Sequence, residues 1–118
     1  MHENEAIKSF SQSEKIKSGL IWATQMAEMY TALPESDKPG AERMLKALVG
    51  MIGNEIHIAQ KSAPNEFWLE AAKDVETALV MMTSGVVHEL GYHLTQALSK
   101  VTTIGQQSMT FLVEKALL

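Results

Sequence analysis

Residues 65–90 read NEFWLEAAKDVETALVMMTSGVVHEL, and the spacing of the apolar side chains in this stretch decides the fold class. Trp68, Ala72, Val75, Leu79, Met82, Val86 and Leu90 recur at intervals of three and four. That is the period that gathers side chains on one side of an α-helix, whereas a half-buried strand would alternate every second residue. The stretch is preceded by Ser62-Ala63-Pro64, a break in the periodicity, and is followed by Gly91. We read Gly91 as the left-handed residue closing this helix, with Tyr92 supplying the apolar contact that accompanies such an end. The alternative is one long helix running through Gly91 to about Thr103.

The same period extends in both directions. After Gly91, Leu94, Ala97, Leu98, Val101, Ile104, Met109, Leu112 and Ala116 form a second stripe. Its middle, Thr102-Thr103-Ile104-Gly105, joins β-branched residues to a glycine and marks a place for a kink. Before Pro64, Ala41, Met44, Leu45, Leu48, Met51, Ile52, Ile56 and Ala59 form a third stripe, introduced by Asp37 as N-cap and Pro39 in the first turn. The polar, Pro-bracketed run Pro34 to Pro39 separates it from Ile16, Gly19, Leu20, Ala23, Met26, Ala27, Tyr30 and Leu33. Ser11 and Glu14 stand at capping-box spacing ahead of that first stripe.

These breaks predict an all-α protein with helices over about 11–33, 40–61, 65–90 and 93–118. Rods of similar length, roughly 33 to 39 Å at 1.5 Å per residue, joined by short loops, favour an antiparallel up-down-up-down four-helix bundle. Residues 1–10 are expected to be a flexible N-terminal arm on a single domain spanning 11–118. With 118 residues, 46% of them apolar, the chain is long enough to bury a core of its own.

Charge narrows the functions. The net charge is −4 and the one arginine is Arg43, so there is no basic track for a phosphate backbone, and nucleic acid is not expected as a partner. Cysteine is absent, which removes disulfides, thiolate metal sites and thiol nucleophiles and fits a cytoplasmic protein. The N-terminus carries no signal-peptide pattern. The weakly charged run from Thr77 to Ser99 is interrupted by His88, His93, Thr83, Ser84, Thr95 and Gln96, so it is not read as a membrane span.

Catalytic patterns are missing as well. A di-iron carboxylate bundle needs two Glu-x-x-His motifs, and no glutamate here has histidine three positions on. His88, Glu89 and His93 are the candidate metal ligands, yet the two histidines are five apart, where the zinc-protease helix needs four. His57 falls near the opposite pole of the bundle, and Glu35 and Asp37 are the nearer carboxylates. There is no nucleophile elbow and no phosphate loop; Gly50 and Gly53 fall within a helix, where close packing is their expected purpose. No cofactor is expected. The methionines are expected chiefly to fill the core, a groove for an amphipathic partner being the other use; haem ligation with His57 or His88 lacks any attachment motif. Trp68 belongs to a core stripe, and Trp22 lies at the edge of one.

Charge is also uneven along the chain. Of ten basic and fourteen acidic residues, only Glu89, Lys100, Glu114 and Lys115 follow Glu76. An outer helix face poor in charge, with Val80, Met81 and Val87 outside the main stripe, predicts a homodimer through the C-terminal helices. The sequence therefore points to a small non-enzymatic interaction or accessory protein acting as a homodimer. The competing expectation is a small-molecule or metal-binding bundle with a site between helices or near His88 and His93.

Overall fold

The structure, a computed structural model, describes residues 1–116. It holds α1 (Glu3–Thr31), α2 (Lys38–Ser62), α3 (Glu66–Thr83) and α4 (Leu90–Glu114), with a single 3₁₀ turn at Val87–Glu89 leading into α4. No strand occurs among the described residues. Each helix packs on two others, α1 with α2 and α4, α3 with α2 and α4, and the diagonal pairs do not meet. Cross-helix partners run in opposite directions. Lys15 pairs with Glu55 while Lys38 reaches the Tyr30 ring, and Asn65 bonds Gln107 while Asp74 pairs with Lys100. The antiparallel four-helix bundle predicted from periodicity is the fold.

The core is built from one residue per turn of each helix. Ile16, Leu20 and Ala23 of α1 meet Leu45, Val49, Ile52 and Ile56 of α2, with Trp68, Val75 and Met82 of α3 and Leu94, Val101 and Ile104 of α4 closing the ring. Trp68 is fully buried, as its place in the stripe predicts.

Three boundaries differ from the sequence reading. Of the expected arm, residues 1–10, all but the first two form the start of α1. Ala6, Ser9 and Ser13 continue the buried stripe of Ile16 and Leu20 toward the N-terminus, but with side chains too small and polar to register as an apolar pattern. The helix is capped where the His2 amide donates to Glu5 Oε1 at 3.2 Å; Ser11 and Glu14 lie inside it, and Glu14 pairs with Lys17 instead.

The second difference is the turn between α3 and α4. It falls at Ser84–Val86, so α3 is shorter than the expected 65–90, and the left-handed residue is Gly85, with φ +80°. The Val86 amide donates to the Met81 carbonyl at 2.8 Å and the Gly85 amide to the Met82 carbonyl at 3.1 Å. This paired 6→1 and 5→2 arrangement satisfies carbonyls that the helix end would otherwise leave open. Gly91 sits inside the first turn of α4.

Third, α4 runs unbroken through Thr102–Gly105. Thr103 Oγ1 donates to the Ser99 carbonyl one turn back at 3.0 Å. A Cβ at Gly105 would stand 2.9 Å from Ser13 Oγ, so this glycine serves the approach of α4 to α1 and not a bend. Helix α4 ends at Glu114; Leu117 and Leu118, included in the expected span 93–118, lie outside the described residues.

Candidate functional site

The apolar stripes of α1 and α2 are wider than the bundle can bury. On α2 the core takes Leu45, Val49, Ile52 and Ile56, and this leaves the Met44–Leu48–Met51 side of the stripe on the seam with α1. Across that seam stand Trp22, Met26 and Met29. Trp22 is 61% exposed, Met29 67%, Met44 72% and Met51 65%, so four of the largest apolar side chains in the chain lie open on one helical hairpin. The expectation that methionine mainly fills the core is corrected: Met82 alone among the methionines is fully buried.

Two hollows follow one another along this seam. One, of about 590 Å³, is lined by Gly19 and Trp22 of α1 and by Ala47, Leu48, Gly50 and Met51 of α2. Lys15 and Glu55 close one end of it with a 2.9 Å ion pair. The other hollow, of about 190 Å³, lies between Met26, Met29 and Leu33 on α1 and Ala41 and Met44 on α2. Trp22 and Met26 are one turn apart, as are Met44 and Leu48, so the two hollows form one seam. Flexible thioethers and an indole, with hardly any charge among them, make a surface that adapts to another apolar face.

Gly50 sets this surface apart. A glycine in a helix interior weakens the helix by about 1 kcal/mol relative to alanine. At the other three interior glycines a neighbouring helix passes close. A Cβ would stand 3.3 Å from Ile52 at Gly19, 3.4 Å from Val75 at Gly53 and 2.9 Å from Ser13 at Gly105. At Gly50 it would meet nothing within 4 Å. Packing inside the chain accounts for Gly105 and Gly19 and places a core side chain at contact distance from Gly53, but leaves Gly50 without a neighbour.

The residues expected at a C-terminal interface are dispersed. Val80 is 60% exposed and Met81 partly covered, but Val87 is buried in the protomer's own core beneath the α3–α4 turn. The next exposed apolar residue on α3 is Leu69, about 16 Å from Val80 along the helix, with Lys73 and Glu76 exposed in the interval. The uncharged polar surface of this hairpin is largely self-satisfied. The hydroxyls of Thr77, Thr83, Thr95 and Thr103 each donate to the carbonyl four residues back.

The candidate metal ligands do not assemble. His88 and Glu89 are exposed on the 3₁₀ turn, and His93 lies on α4 with its ring edge-on to Tyr92 at 5.2 Å. Among the described residues no three His, Asp or Glu side chains converge as a metal site would require. Glu35 is taken by Lys38, at 3.0 Å. No helix among them is long and apolar enough to cross a membrane.

Trp22 and the α2 methionines were accessible from the sequence as residues of wide stripes. Their exposure was not, because periodicity gives the direction of a stripe and leaves open how much of its width the neighbouring helices cover. Comparison with family models, with curated proteins and with solved structures finds no match to this chain.

Proposed function

We propose that this chain is a non-enzymatic, cytosolic interaction or accessory protein whose working surface is the α1–α2 face. The observation that carries this reading is the seam itself. Trp22, Met29, Met44 and Met51 stand open side by side on a bundle whose core is otherwise complete. Monomeric proteins rarely leave a contiguous apolar patch of this kind uncovered, and tryptophan and methionine are the side chains enriched where proteins meet. The absence of any catalytic motif in the sequence points the same way.

A photo-crosslinking residue placed at Met51, with the same residue at Val80 as control, tests the reading in the source cells. Polypeptide conjugates from position 51, identified by mass, are the expected result. Conjugates from position 80 alone, or from neither, would contradict it.

A second reading is favoured by the size of the larger hollow, since small-molecule sites occupy roughly 300–1,000 Å³ and are mainly apolar with a few polar anchors. Here the anchors would be Lys15 and Glu55, beside Trp22 and Met51. Native mass measurement of protein purified from its source, before and after denaturation, separates the two. Extra mass lost on denaturation supports a ligand, and a chain-only mass opposes it.

A further inference from the structure

We infer that the occupant of the α1–α2 face is a second copy of this chain, docked about a two-fold axis with the two α2 helices crossing at Gly50. The inference rests on the reading of that face as the working surface and names its partner.

Area is the first support. Trp22, Met26, Met29, Met44, Met51 and Ile58 are between 40% and 72% exposed. At on the order of 200 Å² for a large side chain, together they present about 700 Å², close to the roughly 800 Å² that each partner contributes to a stable interface. That is about a tenth of the protomer's total surface of 6865 Å². On the C-terminal hairpin the exposed apolar residues are spread over two helices, Leu69 and Val80 on α3 parted by charged residues and Tyr92, Met109 and Val113 along α4, while Val87 is buried.

Charge is the second. The chain carries a net −4, so two copies repel on average. The charged groups that line the hollows of the seam, Lys15 and Glu55, are already paired with each other. A seam whose lining charges are paired internally suits a copy of itself. Lys46, exposed about 6 Å from Gly50 along α2, must carry its ammonium to the rim of the crossing on its flexible stem, whereas Arg43 and Lys61 lie about 10 and 16 Å away, where helices crossing at roughly 50° have already diverged.

Gly50 is the third. A two-fold axis through the outer face of α2 brings α2 against its own symmetry mate, and the point of closest approach must carry a small residue on both helices at once. Gly50 is mid-helix and outward, with nothing in its own chain that requires a glycine, and Ala47 and Asn54 extend the low surface on either side. Met44, Met51 and Trp22 then flank the crossing and fill the space around it.

Sedimentation velocity of the full chain from 1 to 200 µM tests this, alongside Gly50→Arg, Met51→Lys and, as control, Val80→Lys. Gly50 and Met51 both face outward, so each variant should keep the helical circular dichroism of the parent. The expected result is a dimer for the parent and for Val80→Lys, with association weakened at least a hundredfold in Gly50→Arg and Met51→Lys. A parent that stays monomeric to 200 µM, or a dimer that Gly50→Arg and Met51→Lys leave unchanged, overturns the inference. Crosslinks from position 51 to a different polypeptide, with the parent monomeric, would overturn the second copy as occupant while leaving the α1–α2 face as the working surface.

Discussion

Gly105 of α4 lies so close to Ser13 of α1 that a Cβ added to the glycine would stand 2.9 Å from Ser13 Oγ. The serine hydroxyl is itself fixed, donating to the Phe10 carbonyl at 2.8 Å. The contact explains why a glycine stands beside β-branched residues inside the unbroken α4. Gly105→Ala should gain the usual helix-propensity benefit and lose more to the clash, a net destabilisation of about 1 kcal/mol. Removing the hydroxyl as well, in Ser13→Ala/Gly105→Ala, should recover most of it. Urea unfolding of the single and double variants checks this, and additive losses in the double variant would count against the contact.

The α3–α4 turn gives a contrast between two glycines. Gly85 has φ +80°, a conformation that disfavours any residue with a Cβ by about 1–2 kcal/mol. Gly91 is helical and has open space where a Cβ would go. Gly85→Ala should therefore lower the melting temperature by several degrees, and Gly91→Ala should hold or raise it. The reverse order would return the helix end to Gly91.

That pair also shows what the sequence carried and what it hid. The bundle, its order of helices and most of its core were readable from Ile16, Leu20, Trp68, Val75, Val101 and their partners, because a 3.6-residue stripe of large apolar groups has few alternatives. The α3 end was hidden because Val86, Val87 and Leu90 keep the apolar spacing going across the Ser84-Gly85 turn. The N-terminal turns of α1 were hidden because Ala6, Ser9 and Ser13 bury without being strongly apolar. The α1–α2 face was hidden for a different reason: Met44 and Leu45 belong to the same stripe, and only the positions of α1 and α3 decide that Leu45 is covered and Met44 is not.

Ser108 is fully buried on α4 and its hydroxyl has no hydrogen-bond partner in the protein. An unpaired buried hydroxyl disfavours folding by about 1–3 kcal/mol, and alanine retains the shape with better helix propensity. Ser108→Ala should raise the stability by about 1 kcal/mol in thermal or urea unfolding. A loss of similar size would show that the hydroxyl is bonded in solution.

If the α1–α2 face is the interface, Trp22 is covered when the protein is in its working state. Labelling with 5-fluorotryptophan gives two ¹⁹F resonances, one from Trp22 and one from Trp68, and the fully buried Trp68 serves as an internal reference. On raising the protein concentration from a few µM to a few hundred, the Trp22 resonance should lose its solvent-isotope shift while that of Trp68 stays fixed, and Gly50→Arg should hold Trp22 at its exposed position throughout. A Trp22 resonance that keeps the full solvent response at every concentration would contradict the dimer on the α1–α2 face.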